Sequence, residues 1–337
     1  MDYKAAVREI GKGAVSPLYI CYGTESYLLR EFIAFLTQKL VQPELKEFAV
    51  SRYDLAETSL DDVLEDARTP PFMAEKKLVI AENALFLTGA KDSAKIEHRP
   101  ERLLDYRKEP SEFSVLVLIA AADKLDERKK IVKALKDVTV SFLPMKPDEL
   151  LQWVHRTAER KGFKLAEGTA DQLILYANGD LQQLAAEMEK LALYVGPGGT
   201  VTGDTVDKLV TRGTEQNVFV LVDDIVSLRL SRAFEIFYEL LKMKEEPIKI
   251  LLLIVRQFRI MLQVKELSAI GYSQQQIASQ IGVPPFAVRA AAEQAKKYDR
   301  KRIEEILSQL AELDYQMKTG QVDKVMGLEL FLLKLAS

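Results

Sequence analysis

Apolar residues fall in two different patterns along the chain. Through the first 143 residues, short apolar runs alternate with stretches of helical period. Runs at 17–23, 49–54, 78–81, 114–121 and 139–143 read as strands. Several are continuously apolar, as in Ser114-Val115-Leu116-Val117-Leu118-Ile119, which is how a strand buried on both faces of a parallel sheet reads. A short helix is expected at 3–11, then an apolar-periodic helix through Tyr27, Leu28, Phe32, Phe35, Leu36 and Leu40. Further helices follow at 60–68 and, rich in basic residues, at 127–136. Strands alternating with helices predict an α/β domain whose parallel sheet is covered on both faces.

Pro144 and Pro147 close that region, and beyond Asp148 the pattern is helical. Helices are expected at 150–160, 169–177 and 181–194, the last capped by Asp180 and presenting Leu181, Leu184, Ala185, Met188 and Leu191 on one face. Trp153 and Met188 read as the core of a small helical domain. From Gly213 onward, seven more helices are expected, at 217–230, 231–242, 247–270, 273–281, 284–298, 301–318 and 323–336. The organisation predicted is therefore 1–143 α/β, 144–212 a small helical domain and 213–337 all-α.

Composition narrows the class. Of 337 residues, 29% are charged and 48% apolar, the profile of a soluble globular protein. A formal net charge of −3 supplies no global attraction to nucleic acid, so any DNA contact must be local. Cys21 is the single cysteine, which excludes an internal disulfide and fits a reducing cytoplasm. Met1-Asp2-Tyr3-Lys4 lacks the order of a secretory signal. The longest apolar run, 248–255, carries Lys249 and is too short to span a bilayer. A cytoplasmic protein with no membrane partner is expected.

Candidate chemistry is sparse. The strand 17–23 ends in Gly23, and Thr24-Glu25-Ser26 opens a helix, the layout of a phosphate-binding loop. Such a loop needs several glycines, a lysine and a magnesium-binding hydroxyl. Gly23, Thr24, Glu25 and Ser26 offer a lone glycine, no lysine, and a carboxylate where phosphate charge would sit. The shape is that of a nucleotide hydrolase, with no nucleotide binding expected. Glu82, the nearest candidate for a magnesium-holding acid, is followed by Asn83 instead of a second acid. The acidic cluster Asp61, Asp62, Glu65 and Asp66 fits a solvated face at a helix start. The lysine run at 129–136 could meet phosphates, but charge runs usually solvate, and a solvated helix face fits it better. His98, expected to be exposed, His155 and Cys21 cannot assemble a zinc site. No catalytic residue, metal or cofactor is expected.

Two stretches carry more. In Thr69-Pro70-Pro71-Phe72-Met73-Ala74, neither proline can continue the preceding helix, and each pushes its predecessor into extended geometry. Phe72 and Met73 therefore sit on a stiffened loop. They suit insertion into a partner's apolar pocket, but large apolar residues are more often core, and from the residues alone both are expected to tuck under the chain's own sheet. The second stretch, 277–283 with Val288, has helix-turn-helix spacing. Its would-be recognition helix, 284–292, is apolar nearly all round and reads as buried. In the helix at 247–270, Arg256 and Arg259 emerge from an apolar run and fit packing with a subunit contact.

Taken together, the whole chain resembles the delta subunit of the bacterial DNA polymerase III clamp loader in its Gram-positive form. The likeness rests on Leu18-Tyr19-Ile20-Cys21-Tyr22-Gly23-Thr24-Glu25-Ser26-Tyr27, on Thr69-Pro70-Pro71-Phe72-Met73-Ala74-Glu75-Lys76-Lys77-Leu78-Val79, on Asn178-Gly179-Asp180-Leu181 with Glu189-Lys190-Leu191, and on Leu313-Asp314-Tyr315-Gln316-Met317-Lys318-Thr319-Gly320 with Leu328-Glu329. The order and spacing of these stretches are specific; no single one is. The resemblance implies an AAA+-like domain without a working phosphate loop (1–143), a lid (144–212) and a collar (213–337). It implies that Pro71, Phe72, Met73 and Ala74 form the clamp-binding element, with Phe72 as its aromatic and Pro71 or Met73 as companion. It further implies a protein that binds and opens the beta sliding clamp for loading onto primed DNA. ATP would be hydrolysed by tau/gamma and delta-prime partners in a hetero-oligomer, as part of the DNA polymerase III holoenzyme (a DNA-directed DNA polymerase). No Ser-Arg-Cys tripeptide is present, so no arginine finger of that type is expected. The alternatives are a helix-turn-helix DNA-binding regulator using 273–292, and a nucleotide-dependent enzyme with an unusual loop.

Overall fold

The computed structural model describes residues 1–90 and 96–335. Of the surface loop expected over 91–99, positions 91–95 lie outside the described residues, as does position 336 at the end of the last expected helix. The chain forms two compact units, Met1–Met145 and Lys146–Ser337.

All five expected strands form in the first unit: β1 (Leu18–Tyr22), β2 (Val50–Asp54), β3 (Lys77–Glu82), β4 (Ser114–Ala120) and β5 (Thr139–Ser141). They make one parallel sheet in the order β2-β3-β4-β1-β5. The continuous apolar runs take the interior places, β4 being buried at every residue and β3 at all but Glu82. Alternate residues of β1 feed two cores. Leu18 and Ile20 join Leu116 and Leu118 against Leu60, Val63, Leu64 and Ala67 of the helix Leu60–Arg68. On the other face Tyr19 meets Phe32 of the helix Ser26–Leu40 edge-on at 5.5 Å, and Phe32 lies 5.3 Å from Phe142. A parallel sheet must be covered on both sides, and here it is.

Three local differences from expectation have physical causes. The basic stretch 127–136 is helical only over Lys130–Ala134. Ahead of it, the Asp126 carboxylate accepts from the Arg128 backbone N–H (3.1 Å) and guanidinium (2.9 Å), and the Lys129 ammonium donates to the carbonyls of Phe86 (2.7 Å) and Thr88 (2.9 Å). Those bonds fold the segment into a turn. A helix absent from the expectation, Arg102–Lys108, buries only Leu103 and Tyr106, too few apolar positions to give a period. His98 is half-buried instead of exposed, with its ring 5.0 Å from that of Phe86.

The second unit is mainly helical. Its first part holds the helices Pro147–Lys161, Thr169–Tyr176 and Leu181–Val195, with a two-stranded parallel pair at Lys164–Leu165 and Thr200–Val201. Asp180 caps the third helix, accepting from the Gln183 backbone N–H at 2.7 Å. Met188 is fully buried and Trp153 half-buried. The rest is built around the long helix Pro247–Ala269, whose Ile250, Leu251, Ile254, Phe258, Met261 and Val264 are buried against the helices Pro285–Ala295 and Arg300–Thr319. Both the segment expected as a lid and the segment expected as a collar lie in this unit. They are joined by the ion pair of Arg289 with Asp171 at 2.9 Å.

Candidate functional site

The loop before β3 is pinned at both ends and projects in the middle. At its start, Thr69 closes the helix Leu60–Arg68: its backbone N–H donates to Asp66 O and its hydroxyl to Glu65 O, both at 3.0 Å. The Ser114 hydroxyl donates to the carbonyl of Ala67, fixing that helix end to β4. At the far end, the Lys76 ammonium donates to the Glu112 carbonyl, and the Lys77 backbone N–H donates to Phe113 O at 2.8 Å. The Lys77 side chain is buried, with its ammonium 2.9 Å from the Asp66 carboxylate. A buried lysine needs such a partner, so this pair ties the loop's exit to its entry helix.

Between these anchors Pro71 and Ala74 are half-buried, while Phe72 is 68% and Met73 73% exposed. Neither side chain tucks beneath the sheet. Met73 has φ 58°, a left-handed conformation that costs a non-glycine residue on the order of 1 kcal/mol and persists only where the surroundings impose it. Phe48, on the short helix Lys46–Ala49, is also 58% exposed, and its ring stands edge-on to Phe72 at 6.3 Å. In the sequence Phe48 shows only as an aromatic among the charged residues Lys46 and Glu47.

The loop at Gly23 has the outline of a phosphate site, but the amides of Glu25, Ser26 and Tyr27 are bonded within the chain. Gly23 adopts φ +138° against the Phe142 backbone. The Glu25 N–H donates to Phe142 O (3.0 Å) and the Ser26 N–H to Thr24 O (3.1 Å). Glu25 itself caps the helix Ser26–Leu40, accepting from the Tyr27 N–H at 3.2 Å. A carboxylate thus occupies the helix end that would attract an anion. At the end of β3, Glu82 pairs with Arg52 (3.3 Å), and the Asn83 amide donates to Asp54 (2.8 Å), holding the Asp54 carboxyl below the usual range.

The helix-turn-helix spacing is real, but its second helix is not free to read a groove. Helices Gln274–Ile281 and Pro285–Ala295 flank Gly282 at φ 69°. Val288 and Ala291 are buried, the Phe286 ring packs over Gly179, Arg289 pairs with Asp171, and no residue from 285 to 292 is fully exposed. A recognition helix must present a polar face to base edges, so the DNA-reading alternative at 273–292 is not supported.

Comparison with known proteins agrees along the full length. Residues 19–142 match the family described as DNA polymerase III, delta subunit, and residues 215–335 match DNA polymerase III delta subunit, C-terminal domain. The chain is 42% identical to the DNA polymerase III subunit delta of Bacillus subtilis over 330 residues, covering 97% of this chain and 95% of that one. The chain belongs to the DNA polymerase III delta-subunit family. A solved Bacillus subtilis DNA clamp loader delta protein, at 41% identity, superposes with a TM-score of 0.65 over 99% of both chains. The five-stranded parallel sheet and the helical remainder are thus shared with that clamp loader delta protein. Among the described residues no helix is long and apolar enough to cross a membrane, and no group of acidic, histidine or cysteine side chains could hold a metal ion.

Proposed function

We propose that this chain binds the beta sliding clamp through Phe72 and Met73, framed by Pro71 and Ala74, and opens the ring so that it can be placed on primed DNA. The observation that carries the reading is the pair of exposed apolar side chains on a loop anchored at both ends. Burial in a partner's pocket contributes roughly 1.5–3 kcal/mol for each large apolar side chain. An exposed apolar pair on a fixed scaffold forgoes that stabilisation in the free protein and gains it on docking.

Ring opening needs no fuel in this chain. A protein opens a closed ring by binding the open form better than the closed one, and inverting a 1:99 equilibrium takes about 5.5 kcal/mol of such preference. The two anchors together reach about that order only if most of their contact forms in the open ring. ATP is turned over by neighbouring tau/gamma and delta-prime subunits, with no nucleotide cofactor here, a reading that the bonded amides of Glu25 and Ser26 support. The segment 213–337 supplies the hetero-oligomer contact as a collar, with 144–212 as the lid and the assembly cytoplasmic. Met326, Leu330 and Leu333 form an exposed apolar stripe on the helix Lys324–Leu335 suited to that contact.

The test is co-elution of the purified chain with the sliding clamp on size exclusion. Wild type should co-elute. The Phe72→Ala and Met73→Ala variants should each lose most of the complex, and undiminished complex with both variants would refute the reading.

A further inference from the structure

Parallel pairing of β2 with β3 sets Val50 beside Leu78, so the segments leading into the two strands emerge at the same end of the sheet. Phe48, two residues ahead of β2, is thereby brought to the loop ahead of β3. Ala49 beside it is buried and anchors the turn, while Phe48 keeps 58% of its surface in solvent and sets its ring edge-on against Phe72, at 6.3 Å and 61°. An exposed aromatic normally has several rotamers available. A neighbouring ring in edge-to-face contact favours one of them.

We propose that Phe48 is a positioning residue for the Phe72 prong: it holds that ring in the outward orientation in which it enters the clamp. This rests on the clamp-binding reading of Phe72. Its physical basis is that a side chain ordered before docking loses less conformational freedom on docking. Phe48 comes from a separate element, so the prong is a two-segment structure in which the first segment orients and the second inserts. The short helix Lys46–Ala49 exists, on this view, to place one ring.

The experiment is a double-mutant cycle on clamp affinity, using the full chain and the purified sliding clamp. Phe48→Ala should weaken binding by about 3- to 10-fold, the range expected for losing one aromatic contact or one pre-ordered side chain. In the Phe72→Ala background the same change should have no further effect. Phe48→Tyr should restore affinity and Phe48→Leu should not. In the free protein, a fluorine label on Phe72 should shift and sharpen in Phe48→Ala as the ring gains motion, while the thermal midpoint stays put. Equal loss from Phe48→Ala with and without Phe72 would make Phe48 an independent contact and overturn the positioning role, as would wild-type affinity in Phe48→Ala. If Phe72→Ala itself binds normally, the prong reading fails first and this proposal with it, a pattern distinct from a failure at Phe48 alone.

Discussion

The Phe142 carbonyl oxygen lies 1.9 Å from where a β-carbon on Gly23 would sit. The glycine that gives the loop after β1 its nucleotide-site outline is thus held there by the chain following β5. Phe142 closes the arrangement from both sides: its N–H donates to Tyr22 O at 2.7 Å and its carbonyl accepts from Glu25 N–H at 3.0 Å. The obstacle is backbone, which cannot swing away, and φ +138° is a region only glycine adopts without strain. Gly23→Ala should therefore destabilise the chain by about 3 kcal/mol or more, measured by urea unfolding. A loss under about 1 kcal/mol would mean the loop can move, and the structural role assigned to Gly23 would be wrong.

The same bonds bear on nucleotide. With the Glu25 and Ser26 N–H groups and that of Tyr27 satisfied within the chain, and the Glu25 carboxylate at the helix end, a polyphosphate would meet negative charge and few free donors. Fluorescent ATP with magnesium should show no saturable binding to the isolated chain by anisotropy. Micromolar affinity would contradict the account.

Met73 offers a separation of stability from function. Its left-handed backbone costs on the order of 1 kcal/mol, which glycine would relieve, while glycine's freer unfolded chain costs about as much. Met73→Gly should leave the unfolding free energy within about 1 kcal/mol of wild type and yet weaken clamp binding about tenfold or more, since the lost side chain contributes roughly 1.5–3 kcal/mol when buried. Equal losses in both measurements would mean that Met73 serves the fold.

Cys21 sits in β1 with no exposed surface, and burial pushes its thiol well above the ordinary range. The thiolate is the reactive species. A disulfide reagent such as Ellman's should leave Cys21 untouched in the native protein at pH 8 and label it fully in urea. Rapid labelling of the native chain would show that the sheet opens at β1.

Much of the fold was legible because its elements announce themselves locally. β4 reads directly from Val115 to Ile119, and the long helix Pro247–Ala269 from Ile250, Ile254, Phe258 and Met261. What stayed hidden depends on contacts between distant residues. The shortening of the basic helix to Lys130–Ala134 follows from carbonyls of Phe86 and Thr88 that Lys129 reaches across more than forty positions. Phe48 gains its place only once the register Val50 with Leu78 is fixed. Residue type favours an inward position for Phe72 and Met73, because large apolar side chains are most often core, and the outward position observed is not a local matter. It turns on the Lys77 and Ser114 anchors, which no local pattern reveals.

On the proposed function, an apolar prong at Phe72 and Met73 springs the clamp open without nucleotide. This is tested most directly by placing a donor and an acceptor dye across one subunit interface of the sliding clamp and adding the chain in the absence of ATP. Wild type should lower energy transfer to a plateau set by the open ring. Phe72→Ala should need at least about tenfold more protein to reach that plateau, in line with a hot-spot loss of about 2 kcal/mol or more. Unchanged transfer at saturating wild-type protein, or identical titrations for the two proteins, would contradict it.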